Sequence, residues 1–207
     1  EINENLSIAE RNVEMNEWWK AHFELLVKSG LDMKTIEQAV DDMIGEGRLR
    51  LRKGVKEFLG FLHKNKIPLV IISASIGDMI IQFLRKQNVF YNNVHVVANL
   101  LEFDEKGKFK GLKDNRIVHS LNKHESELKD TFFYKEIEKR RNVLLLGDGL
   151  GDLGMIEGFK YENLLKIGFF NEEVEKNLPL FKANYDVVLL GDSGFEYVNK
   201  LVRSLVK

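Results

Sequence analysis

The chain contains no cysteine, which excludes disulfides, thiolate metal centres and a cysteine nucleophile and fits a reducing compartment. Only two prolines occur in its 207 residues, and no Gly/Ser-rich or single-charge run interrupts it, so no linker divides it into independent domains. No apolar run approaches the length of a membrane span, and the first residues, Glu1 to Asn5, are polar rather than signal-like. A dominant charge is lacking too. Thirty-one basic against 32 acidic side chains leave a formal net charge of -1, which offers no field for nucleic acid or an anionic membrane. What remains is 44% hydrophobic residues, enough for one good-sized core and a small appended subdomain. A cytoplasmic protein without nucleic-acid or membrane partners is the expectation, and it is expected to be a monomer.

The pattern from Ser7 to about Gly47 is helical, with Asp32 as an N-cap and Ile36, Ala39, Val40 and Met43 on one stripe. After Gly54, helical spacing of Val55, Phe58, Leu59 and Leu62 leads into the β-branched run Ile67 to Ile72, which ends at Ser73. A helix carrying Ile80, Phe83 and Leu84 precedes a short strand at Val94 to Val97. Leu101 to Phe103 and Lys108 to Lys110 flank the turn Asp104 to Gly107 and predict a solvent-exposed hairpin near 101–112. Asn115 to Leu121 reads as helical, and the charged stretch His124 to Asp130 as flexible. Further strands are predicted at Val143 to Leu146, Leu164 to Phe169 and Asp186 to Leu190, with a glycine-rich turn and short helix after the first. The last helix opens on the capping box Ser193 to Glu196 and turns Val198, Val202 and Leu205 inward. Alternating strands and helices predict an α/β fold with a mostly parallel sheet covered by helices on both faces. Ligands of such sheets bind at the carboxyl ends of the strands, where Ser73 and Asp148 fall.

Three groups of residues carry chemistry. Leu146 to Asp152 puts the carboxylates of Asp148 and Asp152 one helical turn apart where a strand becomes a helix, a donor set suited to Mg²⁺. Gly149, Gly151 and Gly154 overlap it in the spacing of a dinucleotide-binding turn, with Glu172 and Glu173 roughly 20 residues on. Asp152 can also be read as a helix cap. Ser73-Ala74-Ser75-Ile76-Gly77-Asp78 offers a hydroxyl and backbone N–H groups to an anion, or ordinary caps in Ser75 and Asp78. Lys123, after Asn122, is a cation that could be no more than a solvated surface charge. The histidines, His22, His63, His95, His119 and His124, lack the spacing of a helical zinc pair.

In this order, the three groups resemble the later motifs of the haloacid dehalogenase superfamily. Glu17-Trp18-Trp19-Lys20-Ala21-His22, the Ser73 to Asp78 segment, Gly111-Leu112-Lys113, Asn122-Lys123, Leu145 to Leu153 and Leu165-Lys166-Ile167-Gly168-Phe169 are similar to the cytosolic 5′-nucleotidase III (pyrimidine 5′-nucleotidase) family. The resemblance implies hydrolysis of nucleoside 5′-monophosphates through an aspartyl-phosphate. Ser73 and the Ala74 backbone would bind the phosphoryl group, Lys123 would bridge it to the nucleophile, and Asp148 and Asp152 would hold Mg²⁺. Residues 1–50 would form a helical cap over a core of 51–207. Trp18 or Trp19 would stack on the base; adjacent on a helix, they point about 100° apart, and the pair resembles members that accept 7-methylguanosine monophosphate. Glu1 aligns with a carboxylate that reads the base. Alternatives outside this family are an NAD(P)-binding oxidoreductase using Gly149, Gly151 and Gly154, and a non-catalytic nucleotide-binding module.

The superfamily's first motif, Asp-x-Asp followed by x and Thr or Val, does not occur. Its first Asp is the nucleophile and its strand the centre of the sheet. The resemblance therefore places the nucleophile upstream of Glu1, predicts that this stretch alone is inactive, and predicts a sheet lacking the strand between those that end at Ser73 and Asp148.

Overall fold

The computed structural model describes residues 6–123, 126–129, 131–171 and 174–206. Among these residues the strands fall into three sheets, of two, two and three strands. The chain forms two compact units: Glu1–Arg50 with Val70–Phe90 and Val96–Lys123, and Leu51–Leu69 with Tyr91–His95 and His124–Lys207.

In the first unit, α1 (Ile8–Lys28) opens on a capping box. The Glu10 N–H donates to the Ser7 hydroxyl at 3.3 Å, and the Ser7 N–H donates to the Glu10 carboxylate at 2.9 Å. The cap of α2 (Met33–Gly45) is Asp32, as its sequence predicts; the Thr35 N–H donates to it at 2.9 Å and Lys108 at 2.8 Å. Ile36 and Val40 on the expected stripe are buried. Strand β1 (Leu69–Ile76) feeds α4 (Gly77–Lys86), and β2 (Val94–Asn99) pairs with β1. Strand β1 runs three residues past Ser73, because the small residues Ser73, Ala74 and Ser75, which read as a turn, stay extended up to the helix start. Neither Ser75 nor Asp78 caps α4, whose N-cap is Ile76.

β3 (Leu101–Phe103) and β4 (Phe109–Leu112) form the predicted antiparallel hairpin, with Leu101 opposite Leu112 and Gly107 supplying φ 76° in the turn. The hairpin is solvent-exposed on one face only, at Glu102, Asp104 to Lys106, Lys108 and Lys110. Leu101, Phe109 and Leu112 are buried with Phe23 of α1 and Ile36 of α2, so one face of the hairpin completes the core of this unit. The stretch predicted helical over 115–121 forms only a 3₁₀ turn at Lys113–Asn115 and then an irregular loop.

The second unit is built on the parallel sheet β5 (Asn142–Gly147), β6 (Asn163–Phe170) and β7 (Val187–Leu190), in which Gly147 is opposite Gly168 and Ile167 opposite Val187. α3 (Val55–Lys64) packs with α8 (Glu196–Leu205), where Asn199 donates to the Gly54 carbonyl at 2.9 Å. Short helices α5 (Ser126–Lys129) and α6 (Tyr134–Ile137) bury Leu128 and Ile137. The expectation of a flexible 124–130 gives way to a helical turn at 126–129; His124, Glu125 and Asp130 lie outside the described residues.

Helix α7 (Val174–Asn184), which contains Pro179, has no counterpart in the sequence reading. Leu178 and Phe181 hold it by packing with Phe170 and Tyr185. The predicted capping box of α8 is absent too. Phe195 is the N-cap, the Ser193 hydroxyl donates to the Leu190 carbonyl at 2.5 Å, and Glu196 pairs with Lys53 at 2.9 Å. Val198 and Val202 face inward as predicted, but Leu205 is 65% exposed.

Candidate functional site

Of the residues singled out in the sequence, Ser73, Ala74, Lys123, Trp18 and Trp19 belong to the first unit and Asp148 and Asp152 to the second. Glu1, Glu172 and Glu173 lie outside the described residues.

Ser73 is half-buried in β1, and its Oγ accepts the Ser75 N–H at 3.2 Å. A hydroxyl is one donor and two acceptors, so this bond leaves the Ser73 proton for an anion. Helix α4 begins without a side-chain cap, and Asp78 in its first turn turns away to accept the Leu101 N–H at 2.7 Å. Lys123 is half-buried at the end of the irregular loop. The preceding residue staples that loop: Asn122 accepts the His119 N–H at 2.7 Å and donates to the Ile117 carbonyl at 2.8 Å.

Trp18 and Trp19 diverge as their helical spacing requires. Trp19 packs into the core of its unit and stacks on Phe23 with ring centroids 5.4 Å apart. Trp18 is 58% exposed and lies parallel to His22, 5.5 Å between centroids. Trp19 is thus the anchor, while much of the Trp18 ring stays in solvent. Trp19→Ala is expected to cost about 3 kcal/mol of stability and Trp18→Ala less than about 0.5 kcal/mol, read as the urea midpoints of the two variants.

In the second unit, β5 ends at Gly147, and the chain turns through Asp148 and Gly149 into a 3₁₀ helix over Leu150–Ile156. The side chain of Asp152 reaches back into this turn. Its Oδ2 accepts the Asp148 N–H at 2.9 Å and the Gly149 N–H at 3.1 Å, and the residue is 6% exposed. Asp148 is exposed. Buried charge of this kind is tolerated only when hydrogen-bonded, and the two amides hold one carboxylate oxygen in place. The capping role weighed for Asp152 is therefore real, though it reaches back to the turn.

Tyr185, which sequence reasoning missed, closes the other side of the turn. Its hydroxyl donates to the Gly149 carbonyl at 2.6 Å. Burial first, then the charges of Asp152 and Asp148, push the phenol above its ordinary value, so it stays a donor. A Cβ at Gly147 would lie 2.6 Å from the Tyr185 hydroxyl, and one at Gly168 would lie 2.9 Å from its ring. Two glycines opposite each other in the sheet therefore admit the tyrosine. Only that glycine pair could have hinted at a bulky neighbour.

The same geometry removes the dinucleotide reading. The N–H groups of Asp148 and Gly149 are already directed at a carboxylate, and the helix that follows is 3₁₀; the pyrophosphate of a dinucleotide needs such amides and a helix N-terminus for itself.

The family model for pyrimidine 5′-nucleotidase (UMPH-1) matches residues 1–206. This chain belongs to that family. It is 40% identical over 204 residues to the 7-methylguanosine phosphate-specific 5′-nucleotidase A of Xenopus laevis, covering 98% of this chain and 69% of the relative. The Mus musculus 7-methylguanosine phosphate-specific 5′-nucleotidase is 36% identical over 207 residues, 100% of this chain and 67% of that protein. A crystal structure of cytosolic 5′-nucleotidase IIIB bound to cytidine superposes with TM-score 0.85 at 29% identity over 99% of this chain and 67% of that one. This pyrimidine 5′-nucleotidase family member thus spans about two thirds of each relative's length. Its α/β architecture is that of the family, and by family it is a 5′-nucleotidase, a phosphomonoester hydrolase. One relative bears the name cytosolic, and among the described residues no helix is long and apolar enough to cross a membrane.

Proposed function

We propose that the protein hydrolyses nucleoside 5′-monophosphates, pyrimidine nucleotides and 7-methylguanosine monophosphate, to nucleoside and phosphate, as a cytoplasmic monomer with Mg²⁺. The observation that carries this reading is the turn after β5, where Asp148 offers an exposed carboxylate and Asp152 a buried one pinned by two amides. Hard oxygen donors of this kind, one or two from the protein with water and substrate phosphate completing the shell, suit Mg²⁺. No larger cluster of His, Cys, Asp or Glu competes for a metal among the described residues.

Bound there, Mg²⁺ would neutralise phosphoryl oxygens. Phosphoryl transfer passes through a loose transition state whose charge sits on equatorial oxygens, so positioning and charge neutralisation carry the rate. In this reading Ser73 donates its hydroxyl proton to one phosphate oxygen, the Ala74 N–H to another, and the Lys123 ammonium offsets the remaining charge. Helices α1 and α2 serve as the cap segment. Trp18 is the residue proposed to stack on the base; a cationic 7-methylguanine would gain about 1–2 kcal/mol from an indole face. No Asp-x-Asp occurs in the 207 residues, so the proposed aspartyl-phosphate forms on an aspartate that this stretch does not supply.

The test is phosphate release from UMP, CMP and 7-methyl-GMP. The full-length gene product should release phosphate only with Mg²⁺, and the 207 residues alone should release none. Trp18→Ala should raise KM for 7-methyl-GMP by about tenfold with a smaller change in kcat. Nucleotide binding by the full-length protein without turnover would instead identify a non-catalytic nucleotide-binding module.

A further inference from the structure

Asn99, the last residue of β2, is 0% exposed and lies outside the residues given a role above. Its amide makes a dense set of bonds. Nδ2 donates to the Ala74 carbonyl at 2.8 Å and to the Val118 carbonyl at 2.9 Å, with a longer contact to Ser75 O at 3.4 Å, while Oδ1 accepts the Val118 N–H at 2.8 Å. One side chain therefore does for Val118 what a neighbouring strand would, satisfying both its N–H and its C=O. It does this where the loop has no regular structure and Val118 is itself fully buried. Only a primary amide has two donors and an acceptor in this geometry. A carboxylate would face two carbonyl oxygens.

The segments joined are functionally unequal to the rest of the unit. One is Ser73-Ala74-Ser75. The other leads, through the Asn122 staple on Ile117 and His119, directly into Lys123. The 117–123 loop has no strand or helix of its own, so side-chain bonds such as those of Asn99 and Asn122 help to fix it. We infer that Asn99 is a positioning residue for phosphoryl binding: it sets where the Lys123 loop stands relative to the Ser73 hydroxyl and Ala74 amide. The inference rests on the proposed roles of Ser73, Ala74 and Lys123, which it extends.

Displacing a reacting or charge-neutralising group by about 1 Å costs roughly 10²-fold in rate, so the effect is readable. In the full-length gene product, Asn99→Asp and Asn99→Ala are compared with Asn199→Ala. Asn199 is a buried asparagine of the second unit, tied to Gly54, that controls for the loss of a buried amide as such. Three readouts are taken: thermal midpoint, kcat/KM for a nucleoside monophosphate, and the dissociation constant of orthophosphate by calorimetry.

All three variants should melt lower than wild type. Only the Asn99 variants should lose about 10²-fold in kcat/KM and at least roughly tenfold in orthophosphate affinity in the folded protein. A folded Asn99 variant that keeps both values within about twofold would overturn the inference, because it would behave as Asn199→Ala does. Should neither Asn99 variant fold, Asn122→Ala decides. Asn122 is only half-buried, and its variant must show the same paired losses; unchanged values would reject positioning through this loop. If the wild-type full-length protein hydrolyses no nucleotide, the proposed function fails, and orthophosphate affinity alone still judges Asn99.

Discussion

Asp148→Asn in the full-length protein is expected to fold as wild type and to lose about 10³-fold of its Mg²⁺-dependent phosphate release. The side chain is exposed at the end of β5, so exchanging an oxygen for an amide group should change stability by less than about 0.5 kcal/mol. A metal ligand is another matter, since the ion's neutralisation of phosphoryl charge contributes several kcal/mol to the transition state. Raised Mg²⁺ should recover part of the rate. Asp152→Asn should differ in kind, because its Oδ2 satisfies two backbone amides. Weakening those charge-assisted bonds costs about 2 kcal/mol of stability on top of the lost activity. Full activity in Asp148→Asn would remove the turn from the site.

A large loss of stability is expected at Gly168→Ala, which should lower unfolding free energy by about 3 kcal/mol in urea titration. A Cβ there would lie 2.9 Å and 3.0 Å from the Tyr185 ring and 3.2 Å from Phe181. The ring has nowhere to go. It is buried, stacked on Phe181 with centroids 5.3 Å apart, and its hydroxyl is engaged by Gly149 O. Gly147→Ala should be at least as severe, with Cβ 2.7 Å from Asp152 Cβ, and should also displace the pinned carboxylate. An alanine at either position with an unchanged urea midpoint would show that Tyr185 yields easily and does not brace the turn.

Much of this was readable from residue order because burial and secondary structure agree there. Val143 to Leu146 and Leu164 to Phe169 are short apolar runs of the kind parallel strands carry, and both lie where predicted. The reading failed where tertiary contacts overrule local preference. Ser73 to Ser75 carries turn residues yet continues β1, and the Asn99 amide bonds to its carbonyls. Ser193 to Glu196 spells a cap, but Lys53 holds the glutamate, and Arg52 binds Asp192 at 3.2 Å and Ser193 O at 3.1 Å. Helix α7 holds Pro179 in its interior and survives through Phe181 and Leu178. At the site, residue types and spacing exposed the two aspartates, but not Tyr185 or Asn99, whose partners lie in distant segments of sequence.

Both tryptophans of the chain sit side by side on α1, in the first unit. Intrinsic fluorescence excited at the indole band is consequently a spectroscopic label for one unit only, with Trp19 the ring whose surroundings change most on melting. The second unit is silent in that channel. Circular dichroism sees both, so coincident traces would mark one cooperative block, and separated traces would give each unit its own melting free energy.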